Sequence, residues 1–268
     1  MVSICFANIK GGVGKTTTCF NICGVLAGAD YKVLCIDVDP QGNLSDNFFG
    51  ADNYNRKGLN ELIMGEVKLS DVIRQPYPDH PFLKNIWAIT ADVEMFYIVE
   101  NCPSFETEYI FKLKQLLKDV EDNFDFCLLD TNPSPSLLTN TMAYCYADYI
   151  IGVFDISMHS VKGFEYLRKI IKDIQDLVNP NLHLLGVVIN STDRRTNFSN
   201  AIVKNVNALY ENLVFPSYIT LSTKIKESGI NLLPISEYEP NGMSRLQYVS
   251  LVSDILKRID IQRRKNNG

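Results

Sequence analysis

Val2-Ser3-Ile4-Cys5-Phe6-Ala7 leads straight into Asn8-Ile9-Lys10-Gly11-Gly12-Val13-Gly14-Lys15-Thr16-Thr17-Thr18. The first six residues are an apolar run of strand length. A glycine-rich turn follows, then a lysine and threonines where a helix begins. In such a turn the backbone N–H groups point at phosphates, and the helix N-terminus adds a dipole that favours negative charge. Gly11, Gly12, Val13 and Gly14 supply the backbone cradle, continued by Lys15, Thr16 and Thr17. Lys15 has the reach for β- and γ-phosphates, and the Thr16 hydroxyl suits Mg²⁺. Lys10 is surplus to that plan. No carboxylate stands beside it in the sequence, so its ammonium needs a partner, and a nucleotide phosphate is the obvious one. With Lys15 serving its own subunit's nucleotide, Lys10 is available to a neighbour's.

Working outward, short apolar runs alternate with helical patterns. Strands are expected at Val2–Ala7, Lys32–Asp37, Asn85–Thr90, Phe124–Asp130, Tyr149–Phe154, His183–Asn190 and Leu232–Ile235. Helices are expected near Lys15–Ala29, Gly58–Met64, Glu106–Val120, Ser136–Cys145, Val161–Val178, Asn200–Leu213 and Arg245–Arg258. This alternation predicts an α/β fold, a doubly wound, mostly parallel sheet with helices on both faces. Ligands bind at the carboxyl ends of such strands. Residues 75–81, Gln-Pro-Tyr-Pro-Asp-His-Pro, form a proline-rich loop, and there is no repeat or linker.

The chain has 268 residues and is 46% hydrophobic, enough to bury the core of one domain spanning residues 1–268, with a frayed C-terminal end. No apolar stretch is long enough to cross a bilayer and Met1 is followed at once by a strand, so a cytoplasmic location is expected. The seven cysteines lie mostly inside apolar runs and form no CxxC pair, which reads as buried small hydrophobes in a reducing compartment. A net charge of −5 excludes nucleic-acid binding by bulk charge and leaves only local basic patches.

Three strand ends carry acids or amides. Cys35-Ile36-Asp37-Val38-Asp39-Pro40 offers two carboxylates on one side of a strand that Pro40 stops, one suited to Mg²⁺ and one to an attacking water. Phe126-Cys127-Leu128-Leu129-Asp130 delivers a single carboxylate from a buried strand to a Mg²⁺ shell. Asn190 closes another run; its amide matches the donor and acceptor on adenine's edge, and an Asx cap of the next turn is the other reading.

The string KGGVGKTT, residues 10–17, resembles the deviant Walker A motif of the ParA/MinD family of dimerising ATPases. That resemblance implies a P-loop NTPase fold, ATP and Mg²⁺ as cofactors, and an ATP-dependent sandwich homodimer in which Lys10 reaches the partner's nucleotide. DVDPQGN, residues 37–43, resembles the family's second signature, which assigns Asp39 to the water and Asp37 to the metal side. The family continues its third motif as DxPPS; here Asp130 is followed by Thr131-Asn132-Pro133-Ser134, so Asn132 replaces the first proline. Pro234 to Pro240 resembles the loop that closes over the base, with Pro234, Tyr238 and Pro240 as contacts. Arg195 matches an arginine with which chromosome-partitioning ParA proteins bind DNA without sequence preference, and Lys224 falls at a second such position. Lys204, Arg194 and Lys226 are candidates to extend that patch.

The resemblance therefore implies a slow, Mg-dependent ATPase that binds nucleoid DNA and partitions plasmid or chromosomal DNA or another cargo. A ParB-like partner would stimulate hydrolysis. The alternative is a MinD-like ATPase cycling on a membrane, which needs an amphipathic C-terminal anchor; Leu246–Arg264 is amphipathic but has no Phe or Trp. The iron–sulfur relatives are disfavoured because their cysteine ligands are missing.

Overall fold

The computed structural model describes residues 1–50, 56–95, 107–134, 138–155, 157–192, 197–210 and 212–266. Six strands form one sheet: β1 Val2–Ala7, β2 Val33–Asp37, β3 Ile86–Ile89, β4 Phe126–Asp130, β5 Tyr149–Phe154 and β6 His183–Ile189. Their order is β3-β2-β4-β1-β5-β6, and every neighbouring pair is parallel. β1 lies at the centre, between β4 and β5, so the chain leaves it at the switch point of the sheet, where doubly wound folds hold their ligands.

Alternation along the strands builds two cores. Val2, Ile4 and Phe6 of β1 pack with Phe20, Ile22 and Cys23 of helix α1 (Lys15–Gly28) and with Tyr248, Leu251 and Ile255 of the helix Met243–Asn266. Cys5 and Ala7 face the opposite side, among Met142 of the helix Leu138–Tyr146 and Phe164 and Leu167 of the helix Met158–Leu177. Burying an Ile, Leu or Phe side chain of this kind contributes about 1.5–3 kcal/mol, so the sandwiched sheet is the main source of stability. The register sets Asp37 of β2 beside Asp130 of β4, and Asp130 beside Phe6 of β1, which gathers the acids at one edge.

The expected seventh strand, Leu232–Ile235, is not one. Leu232 has a left-handed φ of 55°, and Pro234, with no N–H for a ladder, caps the short helix Ile235–Tyr238. Isolated bridges from Val214 and Thr220 cover the β6 edge instead. The helix expected near Glu106–Val120 is broken into Thr107–Ile110, Lys112–Leu117 and a 3₁₀ turn, Lys118–Asn123. Helix α2 (Asn43–Phe49), Leu69–Val72 and Thr223–Ile230 were not legible as helices. The C-terminal helix runs to Asn266, and its apolar face, including Val252 and Ile259, is buried against the core. Among the described residues no helix is long and apolar enough to cross a membrane.

Candidate functional site

The turn after β1 needs its glycines. Gly12 and Gly14 have φ of 74° and 94°, and a Cβ on Gly14 would stand 1.9 Å from Asn190 Nδ2. Gly14 is the N-cap of α1 and supplies no side-chain acceptor, so the first N–H groups of a 14-residue helix remain available to an anion. Lys15 follows, buried, and its burial lowers its pKa against the pull of Asp130 and Asp39.

Thr16 Oγ1 donates to Asp130 Oδ2 at 2.5 Å, while Asp130 Oδ1 is buried with no hydrogen-bond partner among the described residues. Burial pushes the Asp130 carboxyl up to about 7; the Thr16 bond and Lys15 pull it down, and Asp39 pushes it up. Asp37 is raised too, by burial first and by Asp130 beside it. A hydroxyl, an orphaned buried carboxylate oxygen and crowded negative charge are donors of the kind that a hard divalent cation takes. Among the described residues no three His, Cys, Asp or Glu side chains form a metal cage. Mg²⁺ held by one or two carboxylates with phosphates and water requires none.

The two acids of β2 are related differently from simple strand alternation. β2 ends at Asp37, whose Oδ1 accepts from Asp39 N at 3.1 Å in an Asx turn. Asp37 Oδ2 accepts from Ser45 N at 2.9 Å and Ser45 Oγ at 2.8 Å, tying β2 to α2. Asp39 Oδ1 accepts from Gln41 N at 2.9 Å and from Asn132 Nδ2 at 2.8 Å. Asp37 is thus heavily committed to local structure, and Asp39 stands on the loop facing the site.

Lys10 has a carboxylate partner after all. Its Nζ is ion-paired with Asp155, just beyond β5, and donates to Ser157 Oγ at 2.9 Å. The sequence shows no acid beside Lys10; strand pairing of β1 with β5 brings one from 145 residues away.

Asn190 is held at both ends. Its Nδ2 donates to Val13 O at 2.9 Å, and its Oδ1 accepts from Ser191 N at 2.8 Å. It buttresses the phosphate turn and borders a cavity of about 180 Å³ that also touches Gly12, Gly14 and Thr17. The far wall comes from Thr220, Leu221, Ser222, Ile225 and Lys226. Pro234, Tyr238 and Pro240 are placed elsewhere. Pro234 presses on Gly24 of α1, Tyr238 Oη donates to Glu227 Oε2 at 2.9 Å, and Pro240 is exposed. The wall of this cavity is the Thr220–Lys226 segment, and Pro234, Tyr238 and Pro240 do not border it.

An AAA domain family model matches residues 1–184. The chromosome-partitioning ATPase Soj of Treponema pallidum (strain Nichols) is 30% identical over 259 residues, 96% of this chain and 97% of its own. The chain belongs to the ParA/MinD-type ATPases. Solved structures agree on the fold. Cobyrinic acid a,c-diamide synthase from Mycobacterium smegmatis, with bound ATP analogue and magnesium, has a TM-score of 0.81 at 22% identity and covers 97% of this chain and 96% of its own. A Cyanothece McdA variant in complex with ATP has a TM-score of 0.81 at 23% identity, covering 96% of each chain.

In this ParA/MinD-type ATPase the DNA candidates divide. Arg195 and Arg194 lie outside the described residues. Lys224 opens the helix Thr223–Ile230, where Ser222 Oγ caps its N–H, and its Nζ is paired with Glu227 at 2.8 Å. Lys226 lines the cavity, and Lys204 is exposed on the helix Asn197–Tyr210. Asn132, Asp155 and Ser45 were missed as partners of the site residues. Asn132 carried a signal in its departure from DxPPS; Asp155 and Ser45 carried none. Six cysteines are free and buried, and Cys102 lies outside the described residues.

Proposed function

We propose that this protein is a ParA-like partitioning ATPase that hydrolyses Mg²⁺-bound ATP and uses the cycle to assemble and release a homodimer. The observation that carries the reading is the Thr16–Asp130 contact beside buried Lys15, with Asp39 held across from it. The N–H groups of Gly11 to Thr17 and the Lys15 ammonium bind the phosphates. Thr16 and Asp130 would hold Mg²⁺, with Asp37 behind them; bound there, the ion neutralises charge on the β- and γ-phosphates. Asp39 orients the attacking water. The water oxygen bonds to the γ-phosphorus while the bond to the bridging oxygen breaks; that electron pair leaves with ADP and the water's proton ends on inorganic phosphate. Lys10 completes the site of the partner subunit, which makes intrinsic turnover slow.

The relatives' partitioning role supports the cellular reading: the ATP-bound dimer sits on the nucleoid through non-specific DNA contacts at Arg195 and Lys224, and a ParB-like partner triggers hydrolysis. The buried apolar face of the C-terminal helix supports DNA over a membrane as the platform. The test compares retention on random-sequence DNA and on anionic liposomes with ADP, ATP and a non-hydrolysable analogue. ATP-dependent DNA retention that Arg195→Glu abolishes, with ATP-dependent dimerisation intact, is expected. Retention on liposomes alone overturns it.

A further inference from the structure

Asn132 stands where the motif resembling DxPPS has its first proline, and it is locked from every side. Its Nδ2 donates to Asp39 Oδ1 at 2.8 Å and its Oδ1 accepts from Ser134 N at 2.6 Å. Its backbone is clamped by buried Asn140, whose Oδ1 accepts from Asn132 N at 3.1 Å. Asn140 Nδ2 returns bonds to Asn132 O at 2.8 Å and Ser134 O at 2.6 Å. The amide has one tenable orientation: a flip would face its oxygen to the Asp39 carboxylate and its NH₂ to the Ser134 N–H. A proline would stiffen the loop but could neither donate to Asp39 nor offer the N–H that Asn140 accepts.

We propose that Asn132 is a positioning residue for ATP hydrolysis. With Gln41 N it fills Asp39 Oδ1, and among the described residues no donor bonds Oδ2, which is thereby presented to the attacking water. The same side chain joins that carboxylate to the loop that begins at Asp130, and Thr131 Oγ1 anchors the loop to Phe6 O at 2.7 Å. The metal side and the water side of the site thus share one rigid support. The inference rests on the reading of Asp39 as the group that orients water, and positional errors of about 1 Å at such a group cost on the order of a hundredfold in rate.

Asn132→Leu keeps comparable bulk but loses both the donor to Asp39 and the acceptor for Ser134; Asn132→Ala removes the whole amide. Each variant is assayed for steady-state ATP turnover, affinity for a fluorescent ADP analogue, and thermal melting. Both are expected to lower kcat by about tenfold or more while ADP affinity stays within about twofold and the chain, melting a few degrees lower, stays folded at the assay temperature. Unchanged turnover in Asn132→Ala overturns the proposal, and so does a loss of turnover matched by a loss of ADP affinity or of the folded state. A wild-type chain that fails to hydrolyse ATP is a separate result, which sinks the ATPase reading itself.

Discussion

Lys10 is ion-paired with Asp155 of its own chain, across the β1–β5 pairing at the centre of the sheet. The side chain that the signature motif assigns to a neighbouring subunit is therefore engaged at home, with Ser157 as a second acceptor. Reaching a partner's nucleotide requires breaking that contact. The pair is 31% and 23% exposed, so its net contribution is on the order of 1 kcal/mol.

Asp155→Asn should remove most of that competition. The ATP-bound dimer is then expected to form at roughly thirtyfold lower protein concentration, because each of the two subunits gives up a pair worth about 1 kcal/mol. Lys10→Ala should have the opposite effect, weakening the ATP dimer and turnover while ADP binding through Lys15 persists. Analytical ultracentrifugation with a non-hydrolysable ATP analogue measures both. A dimer no tighter in Asp155→Asn than in the wild type would show that the pair does not restrain assembly.

At the metal side, Asp130→Ala deletes the acceptor of Thr16 and, among the described residues, the one buried carboxylate oxygen with no hydrogen-bond partner. Hydrolysis should fall by about a hundredfold or more, the scale of losing an electrostatic contact to transferring phosphate. Chelation of divalent cations by EDTA should do the same to the wild-type chain, and added Mg²⁺ should restore it. Phosphate release measured at saturating ATP distinguishes these outcomes; full activity in EDTA would remove the metal from the mechanism.

The wall of the cavity gives a third expectation. Ile225 borders it while Tyr238 bonds Glu227 outside it. Ile225→Asn should weaken binding of a fluorescent ADP analogue by about tenfold, since it sets a polar group against an apolar surface. Tyr238→Phe should leave affinity within about twofold. The reverse ranking, in a titration of both variants, would return the base to the Pro234–Pro240 loop.

Much of this was legible because the signals were local. The β1-to-α1 turn needs glycines at left-handed φ followed by Lys and Thr, and those residues stand in one contiguous string. Five further apolar runs gave the sheet, and Asp37 and Asp130 were marked as strand-end acids. What escaped depends on chain reversals and register. Asp155 meets Lys10 only because β5 pairs with β1, and Asn132 meets Asp39 only because β4 pairs with β2. The apolar run Leu232–Ile235 reads as a strand by composition, yet the Leu232 turn and Pro234 divert it into a helix. Thr223–Ile230 is short and carries the weak helix formers Thr223, Ser228 and Gly229, and it is fixed as a helix by its Ser222 cap.

Arg258 makes the last case, because its sequence setting suggests a solvated basic tail. In the fold its Nη1 donates to Leu185 O at 3.1 Å and Leu213 O at 2.6 Å, and its Nη2 to Val214 O at 2.6 Å. The guanidinium also stacks over Phe215, 4.1 Å from the ring centroid. It thereby clamps the segment that covers the β6 edge onto the C-terminal helix. Hydrogen bonds from a charged donor are worth about 1.5–3 kcal/mol each, and water replaces part of that at a half-buried site. Arg258→Ala should therefore cost about 3 kcal/mol, and Arg258→Lys should recover less than half, because an ammonium cannot span three carbonyls and the ring. For a domain of this size that is a fall of roughly 6–10 °C in melting temperature, readable by circular dichroism without nucleotide. ADP affinity in the surviving folded protein should stay unchanged. A melting point within about 2 °C of the wild type would mean that the edge is held by the Val187–Val214 pairing alone.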